Sequence, residues 1–135
     1  MNLLSLLLAI TINGNSFLKT DTTDYWHVAY NSKIIARYTA FDKAPIRIKK
    51  SAVKDGDILL VTYGDDTPGD AQHTGLYILG ANKKRIMITT AKEGEPLKFY
   101  LNYALATQKQ YHLKDLDFFY FDDKRDHFIF KLIIQ

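Results

Sequence analysis

Cysteine is absent from the 135 residues. That excludes disulfides, thiolate metal centres, iron–sulfur clusters and a cysteine nucleophile, and it leaves the redox compartment open. Proline (3) and glycine (7) are few and scattered. No proline- or serine-rich linker divides the chain, no glycine cluster forms a phosphate-cradling loop, and no internal repeat is visible. Neither sign of charge dominates. Eighteen Lys and Arg against 15 Asp and Glu leave a net +3, too mild an excess for the footprint of a nucleic-acid binder. Serine is sparse (Ser5, Ser16, Ser32, Ser51), no Gly-x-Ser-x-Gly elbow occurs, and none of the four has a convincing histidine partner nearby.

Long hydrophobic runs are missing too. The apolar stretch from Leu3 to Ile12 has ten residues, too short to span a bilayer. It reads in two ways. One is a first strand that turns at Asn13-Gly14, with Phe17 and Leu18 opening the return strand. The other is an exported leader, whole or remnant, although no Lys or Arg precedes it and no small-x-small cleavage pattern follows. The expected location is extracytoplasmic, periplasmic or secreted.

What the sequence does hold is aromatic and β-branched. Nine Tyr and eight Phe lie among Ile, Val and Thr, side chains that suit a pleated, half-buried surface. Tyr25 to Tyr30 alternates, Asn31-Ser32 turns the chain, and Ile34 to Phe41 returns. Pro45 precedes Ile46 to Val53, where Arg47, Lys49 and Lys50 read as the wet face of a strand rather than a phosphate-binding patch. The Lys54-Asp55-Gly56-Asp57 turn leads into Ile58 to Tyr63, an almost continuous apolar run of the kind covered on both faces. Gly75 to Leu79 and Arg85 to Thr90 follow as a pair. Leu116 to Phe121 and His127 to Ile134 form the last, with Phe128, Phe130, Leu132 and Ile134 on one face. Only residues 96–107 compete as helix: Leu97, Tyr100, Leu101, Ala104 and Leu105 sit at helical spacing, yet Leu97, Phe99, Leu101, Tyr103 and Leu105 alternate, and strand is slightly preferred. The expectation is one domain, residues 1–135, folded as an antiparallel β-sandwich of the jelly-roll or immunoglobulin-like kind with at most one short helix.

Chemistry-bearing residues concentrate in the loop from Gly64 to Thr74. Asp65, Asp66 and Asp70 are three carboxylates within six residues, with Gln72 as a further oxygen donor and His73 opening the next strand. Calcium takes six to eight oxygen ligands, and such a loop supplies them, although the spacing matches no EF-hand. Asp, Gly and Pro also make good turns without any metal. His73 beside Asp66 or Asp70 is the one candidate for a small hydrolase, because a His–carboxylate pair can act as a general base. Neither His27, His112 nor His127 stands at a ready-made zinc spacing. Paired acids elsewhere (Asp122-Asp123, Glu93 and Glu95) lie in turns. Tyr25, Trp26, Tyr30 and Tyr38 share one hairpin, either as a platform for a sugar ring or a protein, or as core.

Gly56-Asp57-Ile58-Leu59-Leu60, followed by His73-Thr74-Gly75-Leu76-Tyr77-Ile78-Leu79-Gly80, resembles the Gly-Asp and His-Gly strands of papain-like cell-wall peptidases of the NlpC/P60 type. The likeness is confined to residues 56–80. Those enzymes need a cysteine thiolate, which this chain lacks, so the resemblance does not extend to their chemistry.

The reading that follows is a non-catalytic binding or adhesion module. It would hold a glycan or protein ligand through Asp65, Asp66, Asp70, Gln72, His73, Trp26 and Tyr30, with calcium on Asp65, Asp66 and Asp70. The rivals are the His73 hydrolase and an assembly protein pairing through edge strands. If calcium binds the folded loop, millimolar calcium raises the melting temperature, because a ligand held only by the folded state stabilises it. Identical melting curves in calcium and in chelator would remove the metal.

Overall fold

A computed structural model describes residues 24–42, 44–64, 73–92 and 94–135. The strand or leader read at Leu3–Ile12, with its turn at Asn13-Gly14, lies outside the described residues. Of those described, 57% are in strands. They form β1 (Tyr25–Tyr30), β2 (Lys33–Thr39), β3 (Ile46–Ile48), β4 (Ile58–Gly64), β5 (His73–Leu79), β6 (Arg85–Lys92), β7 (Leu97–Tyr100), β8 (Leu116–Asp122) and β9 (Asp126–Ile134), with one helix, α1 (Leu101–Gln110).

The strands make two sheets, ordered β2-β1-β4-β7 and β3-β9-β8-β5-β6. Their inner faces meet in a single apolar core, as a sandwich requires. Trp26 of the first sheet meets Tyr120 of the second edge-on at 5.7 Å, Phe99 stacks on Phe118 at 5.1 Å, and Tyr38 stacks on Phe130 at 5.7 Å. Six of the seven strand pairings are antiparallel. The exception is β3, which runs parallel to β9 and makes the second sheet mixed.

Local chemistry explains most of the turns. Asn31 and Ser32 both have positive φ (47° and 77°), the backbone twist that a two-residue hairpin between right-twisted strands demands. Gly56, at φ 87°, lets the chain fold back so that the Asp57 amide reaches the Lys54 carbonyl at 3.1 Å. In β5, Gly75 lies directly under the Phe121 ring, leaving no room for a Cβ.

The structure departs from the sequence pattern in four places. First, residues 97–107 are neither all strand nor all helix. Leu97 and Phe99 are buried in alternation, after which Leu101, Ala104 and Thr107 are buried at helical spacing. Second, the strand at Ile46 stops at Ile48, and Lys50–Ala52 is a 3-10 turn. Third, β4 is central but is fully buried only at Leu59 and Val61. The strand covered on both faces is β5, where Thr74 to Ile78 are all buried. Aromatic cover on its outer side comes from Phe119, whose ring stacks on Tyr77 at 5.1 Å, and from Phe121 over Gly75. Fourth, Phe128 does not share a face with Phe130. A register shift pairs Phe118 with Phe130 but Phe119 with Phe128, which leaves Ile129 as the extra residue of a bulge. Phe128 therefore meets Phe119 at 5.5 Å, edge-on.

Phe118 is fully buried and touches Phe99 across the sandwich and Phe130 beside it. Phe118→Ala is expected to cost about 3–5 kcal/mol in urea unfolding, the range for a buried ring deleted from a packed core. Met87→Ala, with a side chain about half exposed, is expected to stay within about 0.5 kcal/mol of the parent.

Candidate functional site: an open slot between two edge strands

The residues singled out in the sequence separate in space. Asp65, Asp66, Asp70 and Gln72 lie outside the described residues. Trp26 and His73 belong to one end of the sandwich and Tyr30 to the other. Trp26 is wholly buried and packs on Tyr63 and Tyr120, so no face of its ring is presented to solvent. His73 stands at the start of β5 with its side chain 77% exposed and its Nδ1 3.9 Å from Asp123 Oδ1. At that distance and exposure the pair is a weak solvated one. Nearby, the Tyr63 hydroxyl donates to Asp24 at 2.8 Å, and the Arg125 guanidinium contacts both Asp24 (2.6 Å) and Tyr63 (3.0 Å). These bonds tie the start of β1 to the β8–β9 turn.

At the opposite end Asp57 gathers three strand connections. Its carboxylate accepts the Tyr30 hydroxyl at 2.6 Å, the Asn31 amide at 2.9 Å and the Lys54 backbone N–H at 2.9 Å. Asn31 in return accepts the Ile58 N–H at 2.9 Å. The Asp57 carbonyl accepts the first amide of α1, at Leu101. The Tyr30 hydroxyl, then the Lys54 amide and Asn31, hold the Asp57 carboxyl below the usual carboxylate range. The same bond to Asp57, followed by burial and the neighbouring charge, pushes the Tyr30 phenol up to about 12. The Gly-Asp strand that resembled a peptidase element thus has a structural task. Its would-be companion is not its neighbour either, since β4 and β5 lie in different sheets.

Tyr30 also lines an open concavity. Neither β2 nor β3 has a strand on its outer side among the described residues, and the two edges stand apart on the same flank of the sandwich. Between them runs an open slot of about 600 Å³, within the range of ordinary binding sites. Ile35, Ala36 and Tyr38 line it from β2, and Ile46 and Ile48 from β3. The Tyr38 hydroxyl donates to the Ala44 carbonyl at 2.6 Å, securing the connection that leads to β3. Burial, with the Asp42 carboxylate next, lifts that phenol to about 12, so it stays a neutral donor.

The rim is charged. Arg37, Arg47 and Lys49 are exposed and line the slot. None is in an ion pair with a described carboxylate. By contrast, Arg85 pairs with Asp126 at 2.9 Å and Lys131 with Asp117 at 3.0 Å. Asp42 is the acidic lining residue, and its Oδ1 accepts the Ala44 N–H at 3.3 Å. A second concavity of similar size, beside α1, involves Lys109 and His112 and borders no free strand edge of β2 or β3. The basic cluster at 47–50 was visible in the sequence. Its convergence with Ile35 and Arg37 was not, because β2 and β3 face each other only across the gap between sheets.

No group of three or more His, Asp or Glu among the described residues could hold a metal ion. No helix among them is long and apolar enough to cross a membrane. No known family model matches the chain, and neither does any curated protein or solved structure.

The sign of the Asp57 shift sets a pH dependence. A carboxyl whose folded value is depressed contributes stability above its unfolded value and loses it as pH falls through the depressed one. The difference in urea midpoint between the parent and Asp57→Asn is therefore expected to be largest at neutral pH. It should narrow on acidification below the usual carboxylate range. Parallel curves across that range would show that the carboxylate's charge is not what holds the turn.

Proposed function

We propose that this chain is a non-catalytic binding module that holds a protein ligand in the slot between β2 and β3. The observation that carries this reading is the slot's construction. Two strand edges that have no neighbouring strand among the described residues flank an apolar floor. An unpaired edge presents alternating N–H and C=O groups that a second extended chain can satisfy. Apolar pockets beside such an edge then select alternate side chains of the added strand. The floor offers Ile35, Ala36 and Ile46 for that purpose.

The geometry also favours a protein over a sugar as the ligand. A sugar platform needs exposed ring faces, whereas Tyr38 is 2% exposed and Trp26 is fully buried. What the slot offers in quantity is aliphatic surface and main-chain hydrogen bonding, which suits an extended peptide.

The test is selection of displayed random ten-residue peptides on the full chain, followed by amide hydrogen exchange of the complexes. Selected peptides are expected to slow exchange across Lys33–Thr39, the β2 edge. Ala36→Trp, which fills the floor, is expected to reduce affinity at least about tenfold, the equivalent of roughly 1.4 kcal/mol, while β5 and β8 exchange as before. Peptides that protect some other surface, or that bind the filled slot equally well, would sink the reading.

A further inference from the structure

We propose that the slot's partner is an acidic extended segment, added as a strand on β2, and that the slot's charge excludes a second copy of this chain. The inference rests on the slot being the binding site and concerns what it selects.

The charge on the two edges is of one sign. β2 reads Lys-Ile-Ile-Ala-Arg-Tyr-Thr and β3 reads Ile-Arg-Ile. Lys33, Arg37 and Arg47 are their only charged residues, and neither strand has a carboxylate. Opposite charges placed across a strand pair attract, and like charges repel. Pairing β2 of one copy with β2 or β3 of another offers no register in which a cation meets an acid. The antiparallel register centred on Ile35 sets Lys33 against Arg37. Self-association through these edges thus gains an opposite-charge pair in no alignment, whereas a strand with Asp or Glu at alternate positions gains a partner for Arg37, Arg47 and Lys49.

The rim cations are free to do this. Each is exposed, and none is ion-paired with a described carboxylate. A bulge adds a second filter. Val28 pairs with Ala36 but Ala29 with Ile34, so Ile35 is the extra residue in β2. A bulge twists an edge away from a flat strand and discourages indiscriminate pairing. It also turns the Ile35 side chain to the slot, where an incoming apolar residue can cover it. Selectivity then arises from both attraction to the right strand and repulsion of the wrong one.

Four fluorescent nine-residue peptides test this on the full chain by anisotropy: alternating Val/Glu, alternating Val/Lys, alternating Val/Thr, and a Val/Glu peptide with proline at every second Val. The first should bind. Its affinity should fall at least about tenfold between about 50 and about 300 mM salt, as expected where screening reaches exposed charges. The double variant Arg37→Glu with Arg47→Glu, both on exposed side chains, should reverse the preference to Val/Lys. Sedimentation should show a monomer at high concentration.

Equal, salt-insensitive binding of the three proline-free peptides would overturn the acidic preference while leaving the slot reading intact. Binding of none of them would remove the slot reading itself. Equal binding of the proline-containing peptide would leave charge attraction without strand addition. A dimer dispersed by Arg37→Glu would make a second copy the occupant and overturn the exclusion.

Discussion

Rings meeting across the gap between two sheets hold this molecule together. Trp26, Phe99 and Tyr38 project from one sheet onto Tyr120, Phe118 and Phe130 of the other, all almost wholly buried. Large aromatics fill the space between sheets packed at about 10 Å, and offset or edge-on contacts add to their area burial. Where the sheets sit relative to each other follows from these contacts. So does the flank on which their edges part.

That parting gives the slot its character. β2 and β3 are connected through residues 40–45, with Tyr38 anchored to the Ala44 carbonyl, yet they join different sheets and never pair. Among the described residues, two edges thus stand side by side without a further strand on either. On the other flank β6 and β7, the outermost strands there, are likewise successive in the chain. Natural sandwiches blunt free edges with short strands, bulges and inward or flanking charges. All three devices are present here: β3 has three residues, β2 carries a bulge at Ile35, and both carry cations. The features that make the edges safe against one another are the ones that define a complementary partner.

The sequence revealed the β class because alternation is a local property. Tyr25–Tyr30 and its return across Asn31-Ser32 form the expected hairpin, and the β8–β9 pair falls where the segments Leu116 to Phe121 and His127 to Ile134 were read. Errors arose where one local signal had two uses. Leu97 to Leu105 satisfies both periods because the chain changes from strand to helix within it, at Leu101. The run Phe128, Phe130, Leu132, Ile134 looks unbroken because a bulge inserts Ile129 without altering the spelling of the alternation. The basic residues at 47–50 were seen, but only as a wet strand face.

By itself, the sequence determined that the chain would bury a β-rich, aromatic core without disulfides. Side-chain period and composition are written residue by residue, and absent cysteines cannot be supplied by folding. Tertiary structure decided the strand order, left open as jelly-roll or immunoglobulin-like. It decided the parallel β3–β9 pair, the burial of Trp26 and the meeting of Ile35 and Arg37 with Ile46 and Arg47. These depend on which strands become neighbours, and that is settled by how two whole sheets fit together, an interaction between residues too distant in the chain for any local pattern to encode.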